Sequence, residues 1–413
     1  MLKAIKIRLY PNQNQEEYIS KLLGTYRFVY NQCLDRKIKA YTNDKTNLGL
    51  NELGNFFHQN LTKNDEYQWI NEHNTKVLKQ SVINLLDSYK RFFVNNTGFP
   101  KFKSKHDNNQ SCRFPVEAIS KKNNYLTNKL TLTSQIKDIK FKCSDEYKQI
   151  LNDNKPNIKS ATLSRNKCNE YHLSILVDCE LTKQLDKPIN NIIGIDLGIK
   201  DFIVTSKNTR FENLKLIRIN QNKLAKLHKN LSRKQKGSKN KNKDRVKLAK
   251  FNNKLTNKKE NYLHHVANTL LNENQVIVME DLNIKGMLQN HKLARSIQEL
   301  SLNRFKNILE YKSKWYGRDI VQIDRWFPSS KLCNKCGYKN NELTLKDRTW
   351  ICPDCGDIHD RDYNAAVNIE NEGRKLYTNK NKIIPIRNGE LTPLETSGYT
   401  VDELGKRDLH RNK

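Results

Sequence analysis

Two groups of side chains in this chain have types and spacings suited to chemistry. The first is a set of acids at the ends of apolar runs. Asp196 follows IIGI, Glu280 follows QVIVM, and Asp360 and Asp362 stand just ahead of the amphipathic stretch YNAAVNI. A carboxylate at the end of a buried strand is costly unless it is paired or functional. Carboxylates converging at sheet ends suit magnesium, whose hard oxygen ligands hold two ions about 3.5–4 Å apart, one activating water and the other stabilising the departing oxygen. A single strand-end acid is more often a helix cap or an ion-pair partner. Asp201 and Asp281 fit that plainer description. On pattern alone, an RNase H-like metal centre and a set of structural acids both stay open.

The second group is Cys333-x2-Cys336 and, after fifteen residues, Cys352-x2-Cys355. Two such pairs let two loops present four thiolates tetrahedrally to one zinc ion, and Gly337 and Gly356 supply the tight turns after each pair. Four cysteines leave no open coordination position, so the zinc is structural; it contributes folding energy and positions nearby Lys331, Lys335 and Arg348. The other five cysteines, Cys33, Cys112, Cys143, Cys168 and Cys179, are scattered without a repeat and form no disulfide framework. Other chemistries find no footing. There is no Gly-rich P-loop, no His-Glu-x-x-His and no Gly-x-Ser-x-Gly. The adjacent pair His264-His265 does not share a helix face.

These residues need strands and helices to place them. IIGID, FIVTS, QVIVME and RDIVQID read as four strands of one sheet. Between the second and third lies a long helical excursion, with Leu224, Leu227 and Leu231 on one arm and Leu248, Phe251, Leu255, Tyr262, Val266 and Leu270 on the other. Gly237 to Lys243 forms the turn between them. Residues 291–316 are helical, with Leu293, Ile297, Phe305, Ile308, Leu309 and Tyr316 as core candidates. Upstream, residues 3–9 alternate as a strand, and 13–96 are helical. Tyr18, Leu22, Leu23, Tyr26, Val29, Tyr30 and Leu34 share one face, and Val77, Val82, Leu85, Leu86, Tyr89 and Phe93 another. Tyr125 to Leu132, Ile158 to Leu163 and Tyr171 to Val177 read as strands of a small antiparallel sheet or barrel, which residues 3–9 join. Residues 180–191 read as a linker, and the tail past about Lys375 as disordered.

Lys and Arg number 75 against 44 Asp and Glu, a net charge of +31. That excess calls for a polyanionic partner, and nucleic acid fits because each neutralised phosphate releases counterions. The charge is concentrated: residues 215–259 hold 17 Lys or Arg and one acid, Asp244. The KFKSKH stretch at 101–106 adds a basic segment with an internal Phe, compatible with a nucleic-acid contact or with a solvated loop. No apolar run is long enough to span a membrane and the N-terminus carries no secretory pattern, which predicts an intracellular protein.

The chain resembles the TnpB family of insertion-sequence proteins, related to the compact type V CRISPR effectors. The resemblance runs over about residues 1–370. It is carried by KIRLYPNQNQ, GFPKFKSKH, GIDLGIKDFIVTS, VIVMEDLNIKGMLQNHKLARSI, FPSSKLCNKCG and DRTWICPDCGDIHDRDYNAAVNI. It implies an RNA-guided, magnesium-dependent DNA endonuclease that makes double-strand breaks beside a short target-adjacent motif. The implied fold is multidomain α/β + α + β. A wedge β domain, barrel-like (1–10 and 112–185), is interrupted by a helical recognition domain (11–111). A RuvC-like, RNase H-like nuclease domain (190–325 and 357–375) carries a zinc-ribbon insertion (326–356), and 376–413 is a tail. The resemblance assigns Asp196, Glu280 and Asp362 as the catalytic acids and magnesium ligands of a two-ion site, with one structural zinc on Cys333, Cys336, Cys352 and Cys355. The implied partners are a guide RNA from the transposon end and double-stranded target DNA, bound by a monomer in the cytoplasm, at the nucleoid, of a bacterium or archaeon. Departures from the family pattern fall at Ser301 to Arg304 and past residue 375, away from the proposed ligands. A non-cleaving regulator of transposition and a strand-joining transposase are the rival readings; neither requires the same combination of acids and RNA.

Overall fold

The computed structural model describes residues 2–381 apart from 96, 108, 180–190, 292 and 345. The linker expected at 180–191 therefore falls almost wholly outside the described residues, as does the tail from 382 onward. The chain divides into two compact units, Met1–Pro188 with Asn213–Glu273 and Gly286–Arg318, and Ile189–Glu212 with Asn274–Lys285 and Asp319–Lys413.

In the first unit, strand β1 (Leu2–Tyr10) leads into a 32-residue helix α1 (Gln13–Asp44). Asn12 caps the helix by accepting from the Gln15 amide while the Gln15 side chain returns to the Asn12 amide, satisfying two of the donors a helix start leaves open. Helices α2 (Leu50–Phe56) and α3 (Thr75–Asn95) follow. Next come β2 (Gln110–Pro115), β3 (Lys129–Leu130), β4 (Ile139–Lys142), α4 (Asp145–Asp153), β5 (Ile158–Arg165) and β6 (Tyr171–Asp178). The strands form one sheet in the order β2-β5-β6-β1-β4-β3, every pairing antiparallel. The first strand of the chain thus sits inside a sheet built from residues a hundred positions later, with the helices as an excursion from it. The edge strands β2 and β3 do not pair with each other, so the barrel-like ladder expected here is open.

Several local expectations need correction. Tyr125–Thr127 is a 3-10 turn and only Lys129–Leu130 is strand, because Asn128 takes a left-handed φ of +58° between them. Phe93, placed by its spacing on the buried face of α3, is 71% exposed, as the helix by then has run past its core. Leu293 is likewise exposed, whereas Ile297, Phe305, Ile308 and Leu309 are buried. The rest of this unit is helical: α5 (Gln221–Ser232), α6 (Lys239–Glu273), α7 (Ala294–Leu300) and α8 (Leu302–Tyr316). The two basic arms are α5 and α6, and no residue of α5 is buried.

The second unit holds the strand-end acids. Strands β7 (Ile192–Leu197), β8 (Asp201–Thr205) and β9 (Arg210–Glu212) form an antiparallel meander. Strands β10 (Val276–Glu280) and β11 (Asp319–Ile323) add parallel to β7 on its other side, giving β11-β10-β7-β8-β9. The short hairpin β12 (Thr349–Ile351) and β13 (Ile358–Asp360) precedes α9 (Arg361–Asn381), which lies against the sheet. Helix α9 runs six residues beyond the 375 boundary read from the sequence, and buried Tyr377 donates its hydroxyl to Asp319 Oδ2 (2.5 Å).

The approach of α9 to the sheet depends on Gly194 in β7. A Cβ there would stand 2.2 Å from the Ala366 carbonyl oxygen and 2.5 Å from the Glu370 amide nitrogen. Backbone cannot swing aside as a side chain can. We expect Gly194→Ala to cost about 3 kcal/mol or more, the upper range for overpacking, read as a lowered denaturant midpoint. Gly24→Ala, at a helix position with nothing within 4 Å, should be neutral or stabilising. Equal behaviour of the two variants would show that the close approach is not essential.

Candidate functional site

Parallel pairing of β10 with β7 aligns Met279 with Ile195. Glu280 and Asp196 are the next residue on each strand, so the register sets two carboxylates side by side across one strand spacing, about 4.8 Å. Both retain partial solvent access. The Asp196 carboxyl is pushed up to about 7, chiefly by its enclosure in protein and then by the charges of Glu280 and Asp362, with Arg361 and the Leu197 amide acting the other way. Burial also raises Glu280, against a hydrogen bond from the Ser329 hydroxyl to its Oε1. The charges of Glu280 and Asp362 thus disfavour ionisation of Asp196, as expected where carboxylates gather at one place.

Asp362 lies in the first turn of α9. Its oxygens face Arg348 Nη1 at 3.3 Å and Arg361 Nε at 3.7 Å. Two guanidinium groups thus lie beside this carboxylate. Asp360 has a different role. It caps α9 by accepting from the Tyr363 amide (2.9 Å) and pairs with Arg210 (3.0 Å), contacts that outweigh burial and hold its carboxyl below the usual range. Asp201 also pairs with Arg210 (3.2 Å), and Asp281 with Arg325. The acids read as ordinary ion-pair partners therefore have such partners.

The four cysteines converge, with all four sulfurs within 4.8 Å of one another. Cys333–Cys355 and Cys336–Cys352 are each 3.6 Å apart, close to the ~3.8 Å edge of a tetrahedron with Zn–S of ~2.3 Å. The two knuckles repeat one hydrogen-bond scheme. The Gly337 amide donates to the Cys333 carbonyl and the Gly356 amide to the Cys352 carbonyl, both at 2.9 Å. Both glycines have positive φ, +81° and +71°, which a side chain would strain. Among the described residues this is the one group of three or more His, Cys, Asp or Glu ligands drawn so close; the carboxylates are a looser set. Of the basic residues expected near the zinc, Arg348 reaches Asp362, whereas Lys335 pairs with Asp357 (3.3 Å) and Lys331 donates to the Asn341 carbonyl (3.2 Å).

Sequence reasoning missed His359, Ser329, Asn364 and Asn368. The His359 ring nitrogen Nε2 lies 3.1 Å from Cys333 Sγ. The other three are buried and bond to backbone or to Glu280. Ser329 lies in the phrase FPSSK, and His359, Asn364 and Asn368 in GDIHDRDYNAAVNI, with nothing in either phrase to mark those polar residues as partners. In the first unit, Lys105 and His106 of the KFKSKH stretch line a groove of about 410 Å³ with Arg165, Lys167 and Arg245 of α6, a cationic surface suited to phosphates.

Three stretches of the chain match known families. Residues 303–369 match the family described as Cas12f1-like, TNB domain, and 174–291 one described as "Probable transposase". Residues 1–46 match a family described as a helix-turn-helix domain; here that stretch is one strand and one long helix. A protein of Streptomyces pristinaespiralis named "Putative RNA-guided DNA endonuclease" is 34% identical over 367 residues, covering 89% of this chain and 88% of its own. InsQ of Escherichia coli K12, which bears the same description, is 27% identical over 386 residues, covering 89% and 91%. The solved Cas12f1–sgRNA–target DNA complex contains a chain of the same fold, with TM-score 0.54 at 18% identity, covering 87% of this chain and 83% of that one. No helix among the described residues is long and apolar enough to cross a membrane.

Proposed function

Because the chain belongs to the TnpB family of RNA-guided nucleases, we propose that it is a transposon-encoded endonuclease that cuts double-stranded DNA chosen by a bound guide RNA. The observation that carries the catalytic assignment is the adjacency of Asp196 and Glu280 on neighbouring parallel strands, with the charge of Asp362 acting at the same place. The strand order, an antiparallel meander with two strands added parallel to its first, supports an RNase H-like, RuvC-like assignment of the second unit. The single sheet formed by residues 2–10 and 110–178 supports a wedge domain interrupted by a helical recognition domain. The cysteine module between β11 and α9 is the zinc ribbon.

Asp196, Glu280 and Asp362 would hold the magnesium, which supplies an activated water and neutralises charge at the scissile phosphate. The protein's own residues prepare that site. Parallel pairing fixes the separation of Asp196 and Glu280, Ser329 holds one oxygen of Glu280, and α9 brings up Asp362. Arg348 and Arg361 pair with Asp362 and offer positive charge to a phosphate at the same place. Helices α5 and α6 and the Lys105–Arg245 groove offer charge to RNA or to a guide–target duplex, whose backbone and shape such proteins contact while base pairing reads sequence.

The test is to purify the protein from cells carrying its flanking DNA and sequence the RNA that accompanies it. That complex is then offered a DNA library matching the RNA's 3′ end, with and without magnesium. Magnesium-dependent double-strand breaks beside a fixed motif are expected. DNA binding without breaks would favour a guided regulator, and strand-joined products without any specific RNA would favour a transposase.

A further inference from the structure

The segment leading into the zinc module is tied to both halves of the proposed catalytic site. Ser329, four residues before Cys333, donates its hydroxyl to Glu280 Oε1. Its own carbonyl accepts from the side-chain amide of Asn368 (2.8 Å), and that amide also donates to the carbonyl of Leu332 (2.7 Å), the residue directly before Cys333. Asn364, one turn earlier on the same helix, donates to Leu332 (2.7 Å) and accepts from the Asn334 amide (3.0 Å) inside the first knuckle. Ser329, Asn364 and Asn368 are 6%, 0% and 7% exposed. The loop before Ser329 is pinned as well: the Trp326 amide donates to Asp324 Oδ1 (2.7 Å), and Phe327 packs on the sheet's apolar cluster.

Asparagine is a weak helix former, and a buried amide is costly unless its hydrogen bonds are made. Two of them one turn apart, both bonded to the same short segment, act as a clamp. They join the helix that starts with Asp362 to the strand-to-knuckle stem, and that stem holds Glu280 through Ser329. We propose that Ser329, Asn364 and Asn368 form a strut through which the zinc module positions Glu280 relative to Asp362. Ser329 is a positioning residue, acting on the reaction through Glu280. The inference rests on the reading above that Glu280 is a metal ligand.

The experiment uses the full-length protein–RNA complex in magnesium-free buffer. Mn2+ binding is followed by electron paramagnetic resonance, with the Asp196→Ala complex supplying the background from RNA-bound ions. For Ser329→Ala we expect unchanged zinc content and melting temperature, site-specific Mn2+ affinity weakened about five- to twentyfold, and a matching rise in the magnesium needed for half-maximal cleavage. Ser329→Thr, which keeps the hydroxyl, should restore both. Asn368→Ala should weaken Mn2+ binding in the same direction, and the double variant should be no worse than the poorer single one, because both act through one strut. Mn2+ binding and magnesium dependence in Ser329→Ala equal to the parent's would overturn the proposal. So would lost zinc in that variant, which would make the hydroxyl part of the module's own fold, and so would additive effects in the double variant. Glu280→Gln separates the two readings. If it too binds Mn2+ as tightly as the parent, the metal assignment of Glu280 has failed; if it alone is weakened, only the strut has.

Discussion

Asp196→Asn is expected to leave a complex that holds its RNA and its target DNA but cuts the target more slowly by roughly a thousandfold or more, because it removes a charge that no neighbour can replace in a metal centre acting as a unit. The isosteric amide keeps the β7–β10 register, so the loss reports charge and coordination. The same variant should change how stability depends on pH. An acid whose folded value is raised to about 7 keeps its proton in the folded state over a range where the unfolded chain, with an ordinary value of about 4, has lost it. Its contribution to stability is thus complete below the unfolded value and is lost as pH rises through the folded one. In magnesium-free buffer the parent's melting temperature should therefore fall between pH 4 and 7 relative to Asp196→Asn, and added magnesium should reverse that fall in the parent alone. A variant that cuts at the parent's rate, or melts with the parent's pH dependence, would make Asp196 a bystander.

Asp196 and Glu280 were legible because each breaks a rule in the same way: four apolar residues of a buried strand end on a charge. Asp360 carried a similar signal and does ordinary work, since a helix cap and a catalytic acid differ in partners and those lie far off in sequence. Arg210, which claims Asp360 and Asp201, sits on a three-residue strand too short to announce itself. The strut was hidden for the same reason. Ser329 meets Glu280 across 49 positions and Asn368 meets Ser329 across 39, and periodicity is blind to a polar contact at that distance. The convergence of the four cysteines could be read from the sequence because two close pairs are a local pattern. Phe93 shows the opposite failure: its helical phase was right, and the core stopped short of it.

Replacing Cys333 or Cys352 with serine should remove the zinc and unfold the module, with cleavage lost as a consequence. The module's own apolar cluster is Cys333, Trp350 and Cys352, with Leu343 against it; two of the three buried members are proposed ligands. A core that small cannot offset the ordering of its loops, whereas structural zinc supplies about 10–16 kcal/mol in comparable knuckles. Zinc analysis should give one ion per parent chain and none in the variants, and limited proteolysis should open new sites within 326–356. The damage should extend beyond the module. Asn364 and Asn368 would lose the Leu332 carbonyl and the Asn334 amide, Glu280 would lose the Ser329 hydroxyl, and Asp362 would lose Arg348. Zinc loss should therefore weaken Mn2+ binding at the carboxylates as well as abolish cutting. A cysteine variant without zinc that still binds Mn2+ and cuts like the parent would mean that the carboxylates hold their geometry from the sheet alone. On the proposed reading, the segments flanking the knuckles carry Ser329 and Arg348, the partners of Glu280 and Asp362, and so would couple a zinc at the cysteines to a metal at the carboxylates.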